Sequence, residues 1–119
     1  MSKKMTGSLS NRLLELGVNG QPDPVVGMGV TELLYTDRLP WQVTRIDGKK
    51  VYIKPCTHIY DKPGSAYGHG GAVIDRAEER EIRQKKNGQW CVIEGGRVSS
   101  RIIRLEKEGP GRYYYDPGF

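Results

Sequence analysis

The segment Trp41-Gln-Val-Thr-Arg-Ile-Asp-Gly-Lys-Lys-Val-Tyr-Ile-Lys54 decides the fold. Asp47-Gly48 lies between two runs in which apolar and polar residues alternate, which is the signature of a β-hairpin. Two registers compete. A two-residue loop at Asp47-Gly48 pairs Val43 with Tyr52 and mixes polar and apolar groups on both faces. A three-residue loop, with Gly48 in the left-handed position, pairs Val43 with Val51 and Trp41 with Ile53. That register leaves one apolar face and one face of Gln42, Thr44, Lys50, Tyr52 and Lys54, and a one-residue slip would invert it. The second register is therefore expected.

Working outward, the same logic predicts further strands. Thr31-Glu-Leu-Leu-Tyr-Thr36 favours β structure and stops at Asp37-Arg38-Leu-Pro40. Asn87-Gly88 separates Glu81–Lys86 from Gln89–Glu94 as a second hairpin, and Gly95-Gly96 supplies a tight turn into Arg97–Leu105. On the N-terminal side, Ser8–Gly17 carries Leu9, Leu13 and Leu16 at helical spacing, a serine cap and a closing glycine, so one short helix is expected there. Residues 1–7 are expected to be flexible. Asp61–Gly71 is expected to be a long glycine-rich loop. The chain thus reads as a single mainly β domain: a small, partly open β-barrel or strongly bent antiparallel sheet with one short N-terminal helix.

Composition narrows the classes. The chain has 119 residues, enough for one compact domain, and no run approaches the ~20 apolar residues that span a bilayer. Its beginning has no apolar stretch of the kind a secretory signal carries. Two cysteines are too few for a secreted disulfide scaffold, so a reducing cytoplasm is expected. The net charge of +5 lies mainly after residue 37 and favours an anionic partner. It excludes a protein that imitates DNA with a carpet of carboxylates. Nothing in the sequence fixes an oligomeric state.

Several residue sets can carry chemistry. On the polar hairpin face, Lys50, Tyr52 and Lys54 place an aromatic ring between two ammoniums, the combination that stacks a base and tracks phosphates. The run Gly64-x-x-x-Gly68-His69-Gly70-Gly71 can bring backbone N–H groups to a phosphate, although it lacks the lysine and hydroxyl of a P-loop. Arg112 and Tyr113 could extend such a surface. Cys56, His58, His69 and Cys91 match no standard zinc spacing, so no metal or other cofactor is expected. His58 with His69 could act as an acid–base pair in a small nuclease, and Tyr113 with Tyr114 could anchor a protein interface.

Val26-Gly-Met-Gly-Val-Thr31, then Tyr35-Thr-Asp-Arg-Leu-Pro40 and Val43, and finally Tyr114-Tyr115-Asp116-Pro117-Gly118-Phe119 resemble a group of small β-rich proteins of phages and prophages. Those open on Val-Gly-x-Gly-Ala-Thr and close on Tyr-Tyr-Asp-x-x-Phe. The match covers residues 25–60 and the last six. It departs at Trp41-Gln42 and has no counterpart to the glycine-rich stretch. The resemblance transfers no catalytic residues. The group has no assigned activity. The resemblance implies a mobile-element origin and action inside an infected bacterium, where small phage proteins of this size are often binders that blunt host immunity by sequestering nucleotide signals or blocking an effector. The residues and the resemblance together lead to one expectation: a non-catalytic binder of an anionic ligand, nucleotide or nucleic acid. An inhibitor that binds a host protein and a histidine-dependent nuclease are the rivals.

Overall fold

The computed structural model describes residues 22–115, and the regular structure in that span is all β. The strands are β1 (Gly29–Leu33), β2 (Arg38–Asp47), β3 (Lys50–Tyr60), β4 (Tyr67–Val73), β5 (Arg80–Gln84), β6 (Trp90–Glu94), β7 (Arg97–Leu105) and β8 (Arg112–Tyr114). All pairings are antiparallel, and the sheet closes in the order β1-β2-β8-β4-β3-β5-β6-β7, with β2 also paired to β3. That extra pairing divides the circle. β1, β2, β3, β5, β6 and β7 form a six-stranded ring, while β2, β8, β4 and β3 form a smaller ring beside it. The expected helix at 8–17 and the expected flexible residues 1–7 lie outside the described residues.

The larger ring holds the core. Val30, Trp41, Val43, Val51, Ile53, Ile82, Trp90, Val92, Ile103 and Leu105 are buried together, each on one of its six strands. Alternation puts Val51 and Ile53 of β3 inward and Lys50, Tyr52 and Lys54 outward, whereas β1 and most of β6 are buried on both faces. One core group is imperfectly satisfied: the Trp90 indole N–H is buried with no hydrogen-bond partner among the described residues. An orphaned buried donor costs about 1–3 kcal/mol. Trp90→Phe removes the orphan and also some ring volume, and these effects oppose one another. Its stability, measured by urea unfolding, is expected within about 1 kcal/mol of the parent. A much larger loss would show that the indole nitrogen has a partner.

The three predicted turns are all present, with differences in register. Gly95 and Gly96 have φ of +59° and +78°, as a type I′ turn between Glu94 and Arg97 requires. The Asn87-Gly88 hairpin uses a three-residue loop: Gly88 N–H donates to Lys85 O within the turn, and Lys85 N–H donates to Gln89 O across its base. The first hairpin differs from both sequence registers. Asp47 pairs with Lys50, so Gly48-Lys49 is the loop, and Val43 pairs with Ile53. A bulge between Val43 and Arg45 reconciles this with the side-chain pattern. It sets two β2 residues against Tyr52 and so returns Trp41, Val43, Val51 and Ile53 to the interior.

The expected loop at 61–71 needs correction. β3 continues past Lys54 to Tyr60, and only residues 61–66 connect it to β4, which takes in Tyr67 to Val73. The glycines of β4 are there for close approach. A Cβ on Gly68 would collide with the Ile59 carbonyl, and one on Gly70 would lie 2.9 Å from Pro40 Cβ. The small ring draws strands together more tightly than side chains allow, and glycine in a strand marks such a place.

Candidate functional site

The candidate residues fall into two groups at different places. Lys50, Tyr52 and Lys54 share the outer face of β3, but two of them are engaged. The Arg45 guanidinium covers Tyr52, 3.9 Å from the ring centroid. Glu79 holds Arg45 through Nε (3.2 Å) and Nη2 (3.0 Å), and also accepts from Thr44 Oγ1 at 2.9 Å. The hydrogen bond from Arg45, with that from Thr44, keeps the Glu79 carboxyl below its ordinary value. Lys54 Nζ donates to the Asp75 carbonyl at 2.7 Å. A base stacking on this face of Tyr52 would have to displace Arg45. Lys50 alone of the three is exposed at the hairpin end.

Gly68, His69, Gly70, Arg112 and Tyr113 do come together. Gly68 pairs with Tyr113 and His69 with Arg112 across β4 and β8, and the Gly70 N–H donates to Gly111 O. Beside them is a cleft of about 370 Å³. Arg38, Arg104 and Arg112 bring three guanidiniums to its wall, and Tyr67, Tyr113 and Tyr114 bring three phenols. Thr36 and Gly68 complete it, with Asp61 as its carboxylate.

The fold positions these groups through a short relay. Fully buried Thr31 accepts the Arg112 backbone N–H at 2.8 Å and donates Oγ1–H to Glu106 Oε2 at 2.6 Å. Glu106 in turn holds Arg104 through Nε (3.0 Å) and Nη2 (2.9 Å). One threonine on β1 thereby links β8 to a cation of β7. Arg38 is oriented by its Nη1 on the Leu34 and Asp37 carbonyls. The Arg112 side chain is exposed and makes no ion pair among the described residues.

The aromatic side follows from register. Gly68 pairs with Tyr60 on one side and Tyr113 on the other, so both rings stand on the same face with a glycine between them. They meet edge to face with centroids 5.5 Å apart, and the His58 ring lies 4.3 Å from Tyr113. Tyr67 and Tyr114 form a second pair at 4.7 Å. Burial, foremost, raises the Tyr113 phenol above its ordinary value, so it is a neutral hydrogen-bond donor near neutral pH. Sequence reasoning missed Arg38, Arg104 and Tyr67, which come from β2, β7 and β4. Only the closed sheet makes them neighbours, and no local spacing signals it.

The metal and acid–base groupings are not assembled. His58 pairs with Gly70 and Ile59 with His69, so the two imidazoles project from opposite faces. Cys91 lies on β6 between Arg83 and Ile102, while Cys56 is on β3. Among the described residues, no group of three or more His, Cys, Asp or Glu side chains could hold a metal ion. Burial pushes both thiols up, away from the thiolate form a nucleophile needs. No described helix is long and apolar enough to cross a membrane. The chain matches no protein-family model, no curated protein and no solved structure.

Proposed function

We propose that the β4–β8 cleft binds an anionic ligand that carries a flat ring, a nucleotide or a nucleic-acid segment, without catalysing a reaction on it. The observation that carries this reading is the wall itself: among the described residues it has three arginines and three tyrosines with one lining carboxylate, Asp61, although Glu106 already holds Arg104. The volume lies within the range of small-molecule sites, about 300–1,000 Å³. Guanidiniums hold phosphate oxygens through paired donors, and phenol rings take a base by stacking. Arg112 meets the phosphate in this arrangement, because its side chain is exposed and no carboxylate among the described residues pairs with it. The resemblance of the opening and closing phrases to phage proteins supports a reading in which the ligand is a host nucleotide signal inside an infected bacterium.

A second reading has an observation of its own. Tyr35, Tyr67 and Tyr115 are 93%, 60% and 52% exposed around this end of the molecule. Tyrosine and arginine are the residues that anchor protein interfaces, so a host protein is the rival partner. The nuclease reading lacks its geometry, since His58 and His69 do not face a common point.

A thermal-shift panel of cyclic and linear nucleotides and short single strands tests the proposal. A ligand at one hundred times its dissociation constant stabilises a fold by about 2.7 kcal/mol. Arg112→Ala is expected to weaken binding about 10- to 100-fold, the size of a lost charge-assisted hydrogen bond, without changing the melting temperature of the free protein. Binding unaffected by this change would remove the cleft from consideration. Silence across the panel, with capture of a host protein that depends on Tyr35 or Tyr67, would favour the rival.

A further inference from the structure

The β2–β3 and β5–β6 turns meet at the end of the molecule away from the cleft. β2 runs from Arg38 at the cleft wall to Asp47 at the turn, a span of roughly 30 Å at the usual rise of a strand. β3 pairs with β5 through Val51 and Ile82. Lys50 and Arg83 come next after that pair on their two strands, with Lys49 before Lys50 and Lys85 and Lys86 following in the next turn. All five cations are exposed. Arg83 contacts Glu81 at 3.4 Å, whereas Lys49, Lys50 and Lys86 make no ion pair among the described residues. Asp47, which stands opposite Lys50 on β2, leans toward Arg45 at 3.8 Å.

Gathering these cations brings the sheet little. Like charges close together on paired strands do not stabilise it, and both turns could carry neutral residues at no conformational cost. The positive φ of Gly48 (+63°) and Gly88 (+91°) satisfies the turn geometry without help from the lysines. The cations also do not converge on a pocket. They spread over two adjacent turns. Such a surface suits a ligand whose own charges are spread in a row. We infer that this basic end is a second anion site, separate from the cleft, for the phosphodiester backbone of a nucleic acid. Contact of this kind is sequence-independent and acts through release of counterions.

The test is fluorescence anisotropy of a labelled oligothymidylate and a labelled duplex of equal length across a salt series. The logarithm of affinity should fall linearly with the logarithm of salt concentration. The combined variant K49Q/K50Q/K85Q/K86Q should flatten that slope by about 0.7 per engaged lysine on the single strand and about 0.9 on the duplex. A loss confined to the single strand would identify that form as the ligand. Circular dichroism and the melting temperature show that the variant remains folded, which exposed lysines permit. The same variant should retain the affinity of the cleft for any nucleotide found there, so the two sites fail or succeed separately. An unchanged slope, or a parent protein that does not bind either nucleic acid, overturns the inference.

Discussion

Replacing Glu32 by alanine is expected to destabilise the protein by about 3–5 kcal/mol, the usual effect of deleting one partner of a buried ion pair. Glu32 is 2% exposed. Its carboxylate accepts from Arg101 Nε at 2.9 Å and Nη2 at 3.3 Å, and from the Trp41 indole N–H at 3.1 Å. The change takes the Glu32 acceptor from a partly buried guanidinium and a buried indole donor. Arg101 cannot escape by losing its proton, because a guanidinium is not deprotonated near neutral pH whatever its partners. Its remaining partner is the half-exposed Glu94, at 3.1 Å. Glu94→Ala removes only this rim contact and should cost about 1 kcal/mol or less. Guanidinium chloride unfolding separates the two: the Glu32→Ala midpoint should fall far more, at an unchanged slope. Equal midpoints for the two variants would mean that the pair does not hold β1 to β7.

Glu32 also shows what the sequence could and could not reveal. Thr31-Glu32 was legible as part of a strand, because β-favouring residues flank it. Its burial was not, since β1 is covered on both faces and a run without alternation conceals which polar residue is inside. Turns were the most legible feature. Gly48, Gly88 and Gly95-Gly96 all take positive φ, a local backbone demand that short-range sequence expresses directly. The inward face of Trp41, Val43, Val51 and Ile53 was equally readable from alternation. Its register was not, because the bulge beside Thr44 shifts the pairing while preserving the faces. The candidate surface divided along the same line. Lys50, Tyr52 and Lys54 share a face by local periodicity, but Arg45 and Asp75 occupy it through pairings set elsewhere in the chain. Arg38, Arg104 and Arg112 converge only once β2, β7 and β8 are joined in a closed sheet.

The glycines of β4 give the other large expected effect. In isolation, a glycine that permits a turn and one that permits close approach are the same letter, which is why this stretch read as a loop. The structure separates them. Gly64 has φ of +79° with open space around its Cα, so an alanine there meets backbone strain alone. Gly68 is different: a Cβ would run into the Ile59 carbonyl and lie 3.1 Å from Tyr60 Cα, both main-chain atoms of the paired strand. Backbone held in a sheet cannot swing aside as a side chain can. Gly70 is intermediate, with Pro40 Cβ at 2.9 Å and Cys56 Cβ at 3.2 Å. Gly68→Ala is therefore expected to cost about 3 kcal/mol, at the upper end of overpacking effects, and Gly70→Ala less. The loss at Gly68 should extend to the cleft. Moving β4 from β3 parts Tyr60 from Tyr113, whose rings meet across this glycine, and carries Gly68 out of the cleft wall. Unfolding midpoints for the three alanine variants, read together with ligand-induced thermal shifts, test this ordering. If Gly68→Ala were as stable as the parent, β3 and β4 would have room to spare, and close approach could not be the reason a glycine-rich segment forms a strand.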